Sequence, residues 1–455
     1  LPGGAKDEIF NAIVKTSTNL NSDPMDMLTQ CLRLGISTGI YGLVLVNRLN
    51  DILMGEPELG FDPVGMRVID PECINIMVTG HQHSMFGSLT GMMEHPEIKE
   101  MADRAGARGI RIVGCTCVGQ DFQARSRCYE KVFCGHAGNN YSSEAVLLTG
   151  CIDLVVSEFN CSLPGIEPIC EELSIPMLCL DDVAKKKGAR HLPYHPEDRE
   201  DVSVNVIAAA IASYVRRSRA GKRQNPMQDH GCNEAVTGVT ERTLKGALGG
   251  SFAPLIDLIA AGSIKGVAAV VGCSNLRAKG HDVFTVELVK KLIARDILVV
   301  SAGCTCGGLE NCGLMSRDAA GLAGPGLSQV CRSLGIPPVL NFGPCLAIGR
   351  IEAVAGELAG ALGVDLPKLP VVVSAPQWLE EQALADGAFA LALGFHLHLG
   401  LAPFVMGSPV ILDVLCNQME GITGGKLMVE TEIDAAAEKI AAVISDKRRG
   451  LGLNE

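Results

Sequence analysis

Residues 297–306 read ILVVSAGCTC, and residues 110–117 read IRIVGCTC. Each is a short β-branched run without polar alternation, which reads as a strand covered on both faces, and each closes on Gly-Cys-Thr-Cys. Outward from these two, similar runs recur as CINIMVTG (73–80), LVVSEF (154–159), IPMLCL (175–180), GVAAVVG (266–272), PPVLNFG (337–343), LPVVVSA (369–375) and ALALGFHLHLG (390–400). Stretches of helical periodicity separate them. Strands alternating with helices imply βαβ units and parallel sheets. The fold class is therefore α/β: two Rossmann-like domains with parallel sheets, preceded by a helical region. The repeated Cys-Thr-Cys ending supports a shared plan for the two halves. A polar, Gly- and Pro-marked join, ASYVRRSRAGKRQNPMQDHG (212–231), sets the boundaries at 1–62 for the helical region, 63–225 for the first domain and 226–455 for the second.

Composition agrees with that palette. Apolar residues make up 47% of the 455, charged residues 20% and aromatic residues 4%, so Ala, Val, Ile and Leu must build the core. The net charge of −12 offers no basic field for phosphates, and nucleic acid is excluded as an expected partner. The most apolar stretch (387–415) is broken by His396, His398, Pro403 and Pro409, so no membrane span is predicted. The 18 cysteines sit among apolar strands rather than in a loop-rich secreted layout, which reads as reduced thiols in the cytoplasm. The chain starts at Leu1 rather than Met and is expected to be a fragment.

A doubly wound sheet places its ligand site beyond the carboxyl ends of the strands. Reading each predicted end in turn gives His81 and His83, Cys115 and Cys117, Cys161, Cys273, Cys304 and Cys306, and Cys345. A single buried cysteine is usually a small hydrophobe, and Cys31, Cys73, Cys151, Cys179, Cys331 and Cys416 are read that way. Agreement among six strand ends points instead to a convergent metal site. Five thiolates and an imidazole exceed what one tetrahedral zinc accepts and suit a multinuclear iron-sulfur cluster.

At these residues the chain resembles the catalytic subunit of anaerobic nickel-iron carbon monoxide dehydrogenase. Similar stretches run from the helical region near Leu28 to RRGLGL (448–453). By that resemblance, His81 in TGHQH and Cys117 in VGCTCVGQD match the ligands of the iron outside the cubane. Cys161 in EFNC, Cys273 in VVGCSN and Cys304 in SAGCTCGG match the cubane ligands, and Cys345 in FGPCLAIGR the nickel ligand. The resemblance implies an active-site cluster between the two Rossmann-like domains and the reaction CO + H2O to CO2 with two electrons and two protons. It also implies a small gaseous or inorganic substrate, an electron-transfer protein such as a ferredoxin as partner, and a homodimer. The family's further [4Fe-4S] relays are expected only on a missing N-terminal region.

The chain departs from the family at several of these positions. Where the family has adjacent cysteines it has Thr116 and Cys117, with Cys115 one residue earlier; Cys306 is an additional thiol. Cys115 and Cys306 are thus possible extra ligands. Gln382 and Asp386 stand where the family places a lysine that donates to bound carbon dioxide and an isoleucine that walls the site. A neutral donor supplies no positive charge to a developing carboxylate, which argues against efficient carbon monoxide oxidation. The alternatives are a nickel-free iron-sulfur-oxygen hybrid cluster with hydroxylamine-reductase activity, as in the related hybrid-cluster proteins, and a redox sensor or electron store. His83, His396 and His398 lie near strand ends as proton carriers, with a satisfied structural histidine as the competing reading. His136 and the Cys128/Cys134 pair receive no role.

Overall fold

A computed structural model describes residues 2–17, 21–221 and 233–453. Its strands, in chain order, are β1 (Gly60–Pro63), β2 (Ile74–Thr79), β3 (Ile110–Cys115), β4 (Phe133–Gly138), β5 (Leu154–Ser157), β6 (Met177–Cys179), β7 (Arg190–His191), β8 (Glu234–Thr237), β9 (Gly266–Val271), β10 (Ile297–Ala302), β11 (Val339–Asn341), β12 (Val371–Ala375), β13 (His396–Leu399) and β14 (Leu427–Val429). β1 and β8 form an antiparallel ribbon. The others build two six-stranded sheets, ordered β4-β3-β2-β5-β6-β7 and β11-β10-β9-β12-β13-β14.

Every pairing in both large sheets is parallel. Numbered within its own sheet, each follows the order 3-2-1-4-5-6, the doubly wound Rossmann arrangement. The strand order reverses beside β2 in one sheet and beside β9 in the other. Connections part there, so the ends of β2 and β9 open onto a crevice.

The unbroken apolar runs become fully buried strands: all residues of β2, β9 and β10 are buried. Helices cover both faces, as parallel sheets require. Ile74, Ile76, Val78, Ile112, Leu154 and Val156 join one core, while the alternate residues Met77, Val113, Cys115 and Val155 join another on the opposite face. That two-residue alternation is the pleat expressed as packing.

By compactness the chain forms two units that do not follow its order. The first comprises Leu49–Val239 with Cys306–Ser316; the second comprises Leu1–Arg48, Thr240–Thr305 and Arg317–Glu455. The early helical residues up to Arg48 therefore group with the later sheet. Helices Pro24–Ser37 and Leu45–Met54 run on through a π-helical turn, Thr38–Val44. This 31-residue stretch is long and apolar enough to cross a bilayer by length and composition alone. Its glycines have packing work: Gly35 lies against the Ala388–Phe389 backbone and Gly39 against the Phe389 ring.

Candidate metal centre

In the first unit, β2 ends at Thr79 and the chain turns through Gly80, whose φ of +96° favours glycine. His81 follows. Its backbone N–H donates to Glu158 Oε1 (2.7 Å), and Glu158 Oε2 accepts from the Asn160 N–H (2.7 Å) and side-chain amide (2.8 Å). One buried carboxylate thus ties the loop after β2 to the loop after β5, which carries Cys161. On the other side, the Thr116 hydroxyl accepts from the Gly80 N–H (2.8 Å), and the Val118 N–H donates to the Gly80 carbonyl (3.0 Å). Helix Thr116–Ala124 therefore grips the Gly80 peptide from both ends.

These ties gather the donors. Cys161 Sγ stands 3.8 Å from His81 Nε2. Burial by itself would lower the His81 pKa, but the Cys117 and Cys161 thiols and the Glu158 carboxylate beside it raise it well above the ordinary imidazole value. A metal-bound imidazole must be neutral, so metal loading at this position would release that proton.

His83, two residues on, is clamped by its Nδ1 to Asp121 Oδ2 at 2.8 Å. Asn50 donates to the same oxygen (2.9 Å), and Arg125 pairs with Asp121 and with Asp51 (2.7 Å). The His83 ring stacks on His81 with centroids 5.8 Å apart, and its Nε2 is buried without a hydrogen-bond partner among the described residues.

The second unit arranges its cysteines through backbone bonds between turns and one side-chain bond, from the Gly343 N–H to Asn341 Oδ1 at 2.9 Å. Cys273 and Cys304 each follow a left-handed glycine, Gly272 (φ +111°) and Gly303 (φ +87°), and Gly343 (φ +103°) stands two residues before Cys345. The turns bond to each other: Gly272 N–H to Ala302 O (3.1 Å), Thr305 N–H to Gly272 O (3.1 Å) and Gly303 N–H to Gly343 O (2.8 Å). A Cβ on Gly303 would fall 2.6 Å from Cys345 Sγ and 2.7 Å from Gly272 O. Only glycine permits this approach.

Gln382 and Asp386, one helical turn apart on helix Glu381–Ala392, bond to each other: Gln382 Nε2 donates to Asp386 Oδ1 at 2.8 Å. Asp386 lines a cavity of about 60 Å3 together with Val271, Gly272, Val373 and Glu352. Burial raises the pKa of the Glu352 carboxyl. His398, on β13, has both ring nitrogens engaged, Nδ1 with Ser374 Oγ (2.8 Å) and Nε2 with the Glu430 carbonyl (3.0 Å). Burial lowers its pKa to about 4. It carries no free nitrogen for relaying a proton. Cys115 packs with Val113, Ala137 and Val146 in a hydrophobic core, and burial pushes its thiol pKa far up. Cys306 is also fully buried.

Among the described residues, no group of three His, Cys, Asp or Glu side chains is gathered tightly enough to hold a single metal ion. A polynuclear cluster makes a looser demand, because each protein ligand binds its own iron. Soft thiolate donors, one imidazole and turns cleared of side chains fit such a group. Glu158, Thr116 and Asp121 were not singled out as site residues in the sequence. Glu158 and Thr116 had a local signal, since each lies between a strand end and a candidate ligand; Asp121 had none.

The prismane/CO dehydrogenase family model matches residues 1–434. A carbon monoxide dehydrogenase of Methanocaldococcus jannaschii is 47% identical over 453 residues, covering 100% of this chain and 72% of its own. Carbon monoxide dehydrogenase 1 of Carboxydothermus hydrogenoformans is 30% identical over 464 residues, covering 98% of this chain and 71% of its own. Among solved structures, the as-isolated nickel-free carbon monoxide dehydrogenase of Thermococcus sp. AM4 superposes with a TM-score of 0.92 at 32% identity, covering 100% of this chain and 70% of that one. Carbon monoxide dehydrogenase IV of Carboxydothermus hydrogenoformans gives 0.91 at 33% identity, covering 100% and 72%.

Proposed function

The chain belongs to the prismane/CO dehydrogenase family and is an iron-sulfur oxidoreductase of the carbon monoxide dehydrogenase type, and from that premise we propose that His81, Cys117, Cys161, Cys273, Cys304 and Cys345 hold its active-site cluster for carbon monoxide oxidation to carbon dioxide. The observation that carries this reading is a shared local geometry. His81, Cys117, Cys273 and Cys304 each directly follow a residue in the left-handed region, Cys161 is itself left-handed, and Cys345 lies two residues after one. A left-handed residue turns the chain sharply off the strand end and presents the next side chain there.

When bound, a nickel-iron-sulfur cluster supplies Lewis acidity and a place for two electrons. The chain's residues contribute the rest. Asp121 fixes the ring orientation of His83, leaving Nε2 to move a proton. Gln382 offers an uncharged amide with two N–H donors, one of which goes to Asp386. Electrons pass to a ferredoxin-like carrier, and the working form is a cytoplasmic homodimer.

A neutral amide at Gln382, a carboxylate at Asp386 and the extra thiols Cys115 and Cys306 support a second reading, a nickel-free iron-sulfur-oxygen cluster that reduces hydroxylamine. Anaerobic reconstitution followed by metal analysis separates the two. Stoichiometric nickel with viologen-linked carbon monoxide oxidation supports the first; hydroxylamine-dependent viologen oxidation by nickel-free protein supports the second. In the first case Gln382→Lys combined with Asp386→Ile raises carbon monoxide oxidation at least tenfold, a gain of about 1.4 kcal/mol in transition-state stabilisation.

A further inference from the structure

Lys185, Lys186 and Lys187 stand together in the loop between β6 and β7, and only the middle one is buried. Its Nζ donates to the Ser162 carbonyl at 2.7 Å and to the Leu163 carbonyl at 3.4 Å. These bonds go to main chain rather than to a carboxylate. Ser162 directly follows Cys161, so the lysine holds the peptide on the carboxyl side of that cysteine. The same loop reaches the amino side, where the Ala184 carbonyl accepts from the Phe159 N–H at 2.9 Å. Asp181 shapes this loop: its Oδ1 accepts from the Val183 and Ala184 N–H groups, each at 2.7 Å.

Cys161, between the two holds, is left-handed at φ +54°. A side chain other than glycine is strained there, and the conformation persists only where neighbours over-determine it. Lys186 is such a neighbour, brought from a different strand end. Burying an ammonium is costly, and burial pushes its pKa below the ordinary lysine value. A charged group with three N–H donors can, however, serve two carbonyls at once and bind each more strongly than a neutral donor would. The buried charge is thus spent on the backbone around one cysteine.

We propose that Lys186 is a positioning residue for the metal centre: its ammonium clamps the Ser162 carbonyl and so keeps Cys161 in the left-handed turn that presents its thiolate to a cluster iron. The inference rests on the assignment of Cys161 as a ligand. Lys186 acts through that cysteine and is not itself a ligand.

The experiment uses the full chain, reconstituted anaerobically with iron and sulfide, and reads iron per chain together with the electron paramagnetic resonance spectrum. A four-iron cluster that loses a cysteine ligand gives up that iron and shows a three-iron signal, which Cys161→Ala should display. Lys186→Met keeps the aliphatic stem and removes the donor. It should show the same three-iron signal and hold iron about tenfold less tightly against a chelator. Lys185→Met, at the exposed neighbour, should match wild type. Asp181→Ala loosens the loop that carries the lysine and should give the three-iron signal to a smaller extent; it decides the matter if Lys186→Met does not fold. Wild-type spectra and iron retention in the folded variants, or a uniform loss of iron without the three-iron signal, would overturn the inference alone. A wild-type spectrum in Cys161→Ala would overturn the ligand assignment and this inference with it.

Discussion

Residues 114–117 and 303–306 spell the same four letters, Gly-Cys-Thr-Cys, and follow different backbone paths. In the second unit the strand stops at Ala302, Gly303 takes the left-handed turn, and the helix opens on Cys304. In the first unit the strand continues through Gly114 and Cys115; Thr116 takes the left-handed turn at φ +52°, and Cys117 is the residue delivered. The turn has moved by two residues, so a different cysteine of each pair reaches the strand end. Cys115 is left in the strand and points into the core.

The cost of the turn differs too. Gly303 adopts its conformation freely, whereas a β-branched residue with positive φ is strained, and such strain persists only when neighbours over-determine it. The first unit supplies those neighbours as side chains: the Thr116 hydroxyl takes the Gly80 N–H, and Glu158 takes the His81 N–H. In the second unit the glycine turns bond to each other through their own peptides, and the Asn341 side chain accepts from the Gly343 N–H within its own turn. From one strand end to the next, side chains make the ties in the first unit and peptides make them in the second, where Asn341 supports Gly343 only within its own turn.

This contrast can be broken experimentally. The largest effect is expected from Gly303→Ala. Left-handed strain of about 1–2 kcal/mol and overpacking of about 1–3 kcal/mol against Cys345 should lower stability by about 4 kcal/mol in urea unfolding. Iron uptake should fall with it. A loss below 1 kcal/mol would mean that the second unit does not depend on its close glycine turns.

Next comes acid sensitivity, which should belong to the second unit through His398. Burial holds its folded pKa at about 4, below the unfolded value of 6.5. A lowered folded value means that the unfolded chain binds the extra proton. The stability contribution is therefore complete above pH 6.5 and is lost as pH falls toward 4, at up to about 1.4 kcal/mol per pH unit. His398→Gln should flatten the stability profile in that window; an unchanged profile would assign the acid sensitivity elsewhere.

Glu158→Gln should cost about 2 kcal/mol, because the amide turns one accepting oxygen into a donor facing the Asn160 N–H. Spectra of the reconstituted protein should report displacement at His81 and Cys161, with Cys273, Cys304 and Cys345 unaffected. The finest discrimination comes from the two threonines. Thr116→Val orphans the buried Gly80 N–H, while Thr305→Val loses a hydroxyl bonded to the Ala302 carbonyl (2.9 Å). The first should be the more destabilising by about 1 kcal/mol, since an unsatisfied buried donor costs more than one lost neutral bond. Equal losses would erase the distinction between clasp and backbone.

Much of this was legible in the chain. Short β-branched runs such as GVAAVV and ILVVSA can be stable only where both faces are covered, so parallel sheets and their carboxyl-end site followed from local pattern. The candidate donors were legible for the same reason, because each closes such a run. Less legible was the division into compact units, in which residues 1–48 group with the later sheet and Cys306–Ser316 with the earlier one. The partners of His83 and His136 were also out of reach, since Asp121 and Glu310 lie 38 and 174 residues away.

The sequence by itself determined the α/β class, the doubly wound plan and the soft-donor chemistry at the strand ends, because periodicity and ligand type are properties of neighbouring residues. The resemblance already pointed to Cys117 and Cys304; tertiary structure alone decided how the backbone turns at each and which histidines keep a free nitrogen. A left-handed Thr116 exists only because Gly80, brought from another strand, presents an N–H to its hydroxyl. His398 is silenced only because β12 and the Glu430 carbonyl meet both of its nitrogens. Such choices rest on contacts between residues far apart in the chain, and no local pattern encodes them.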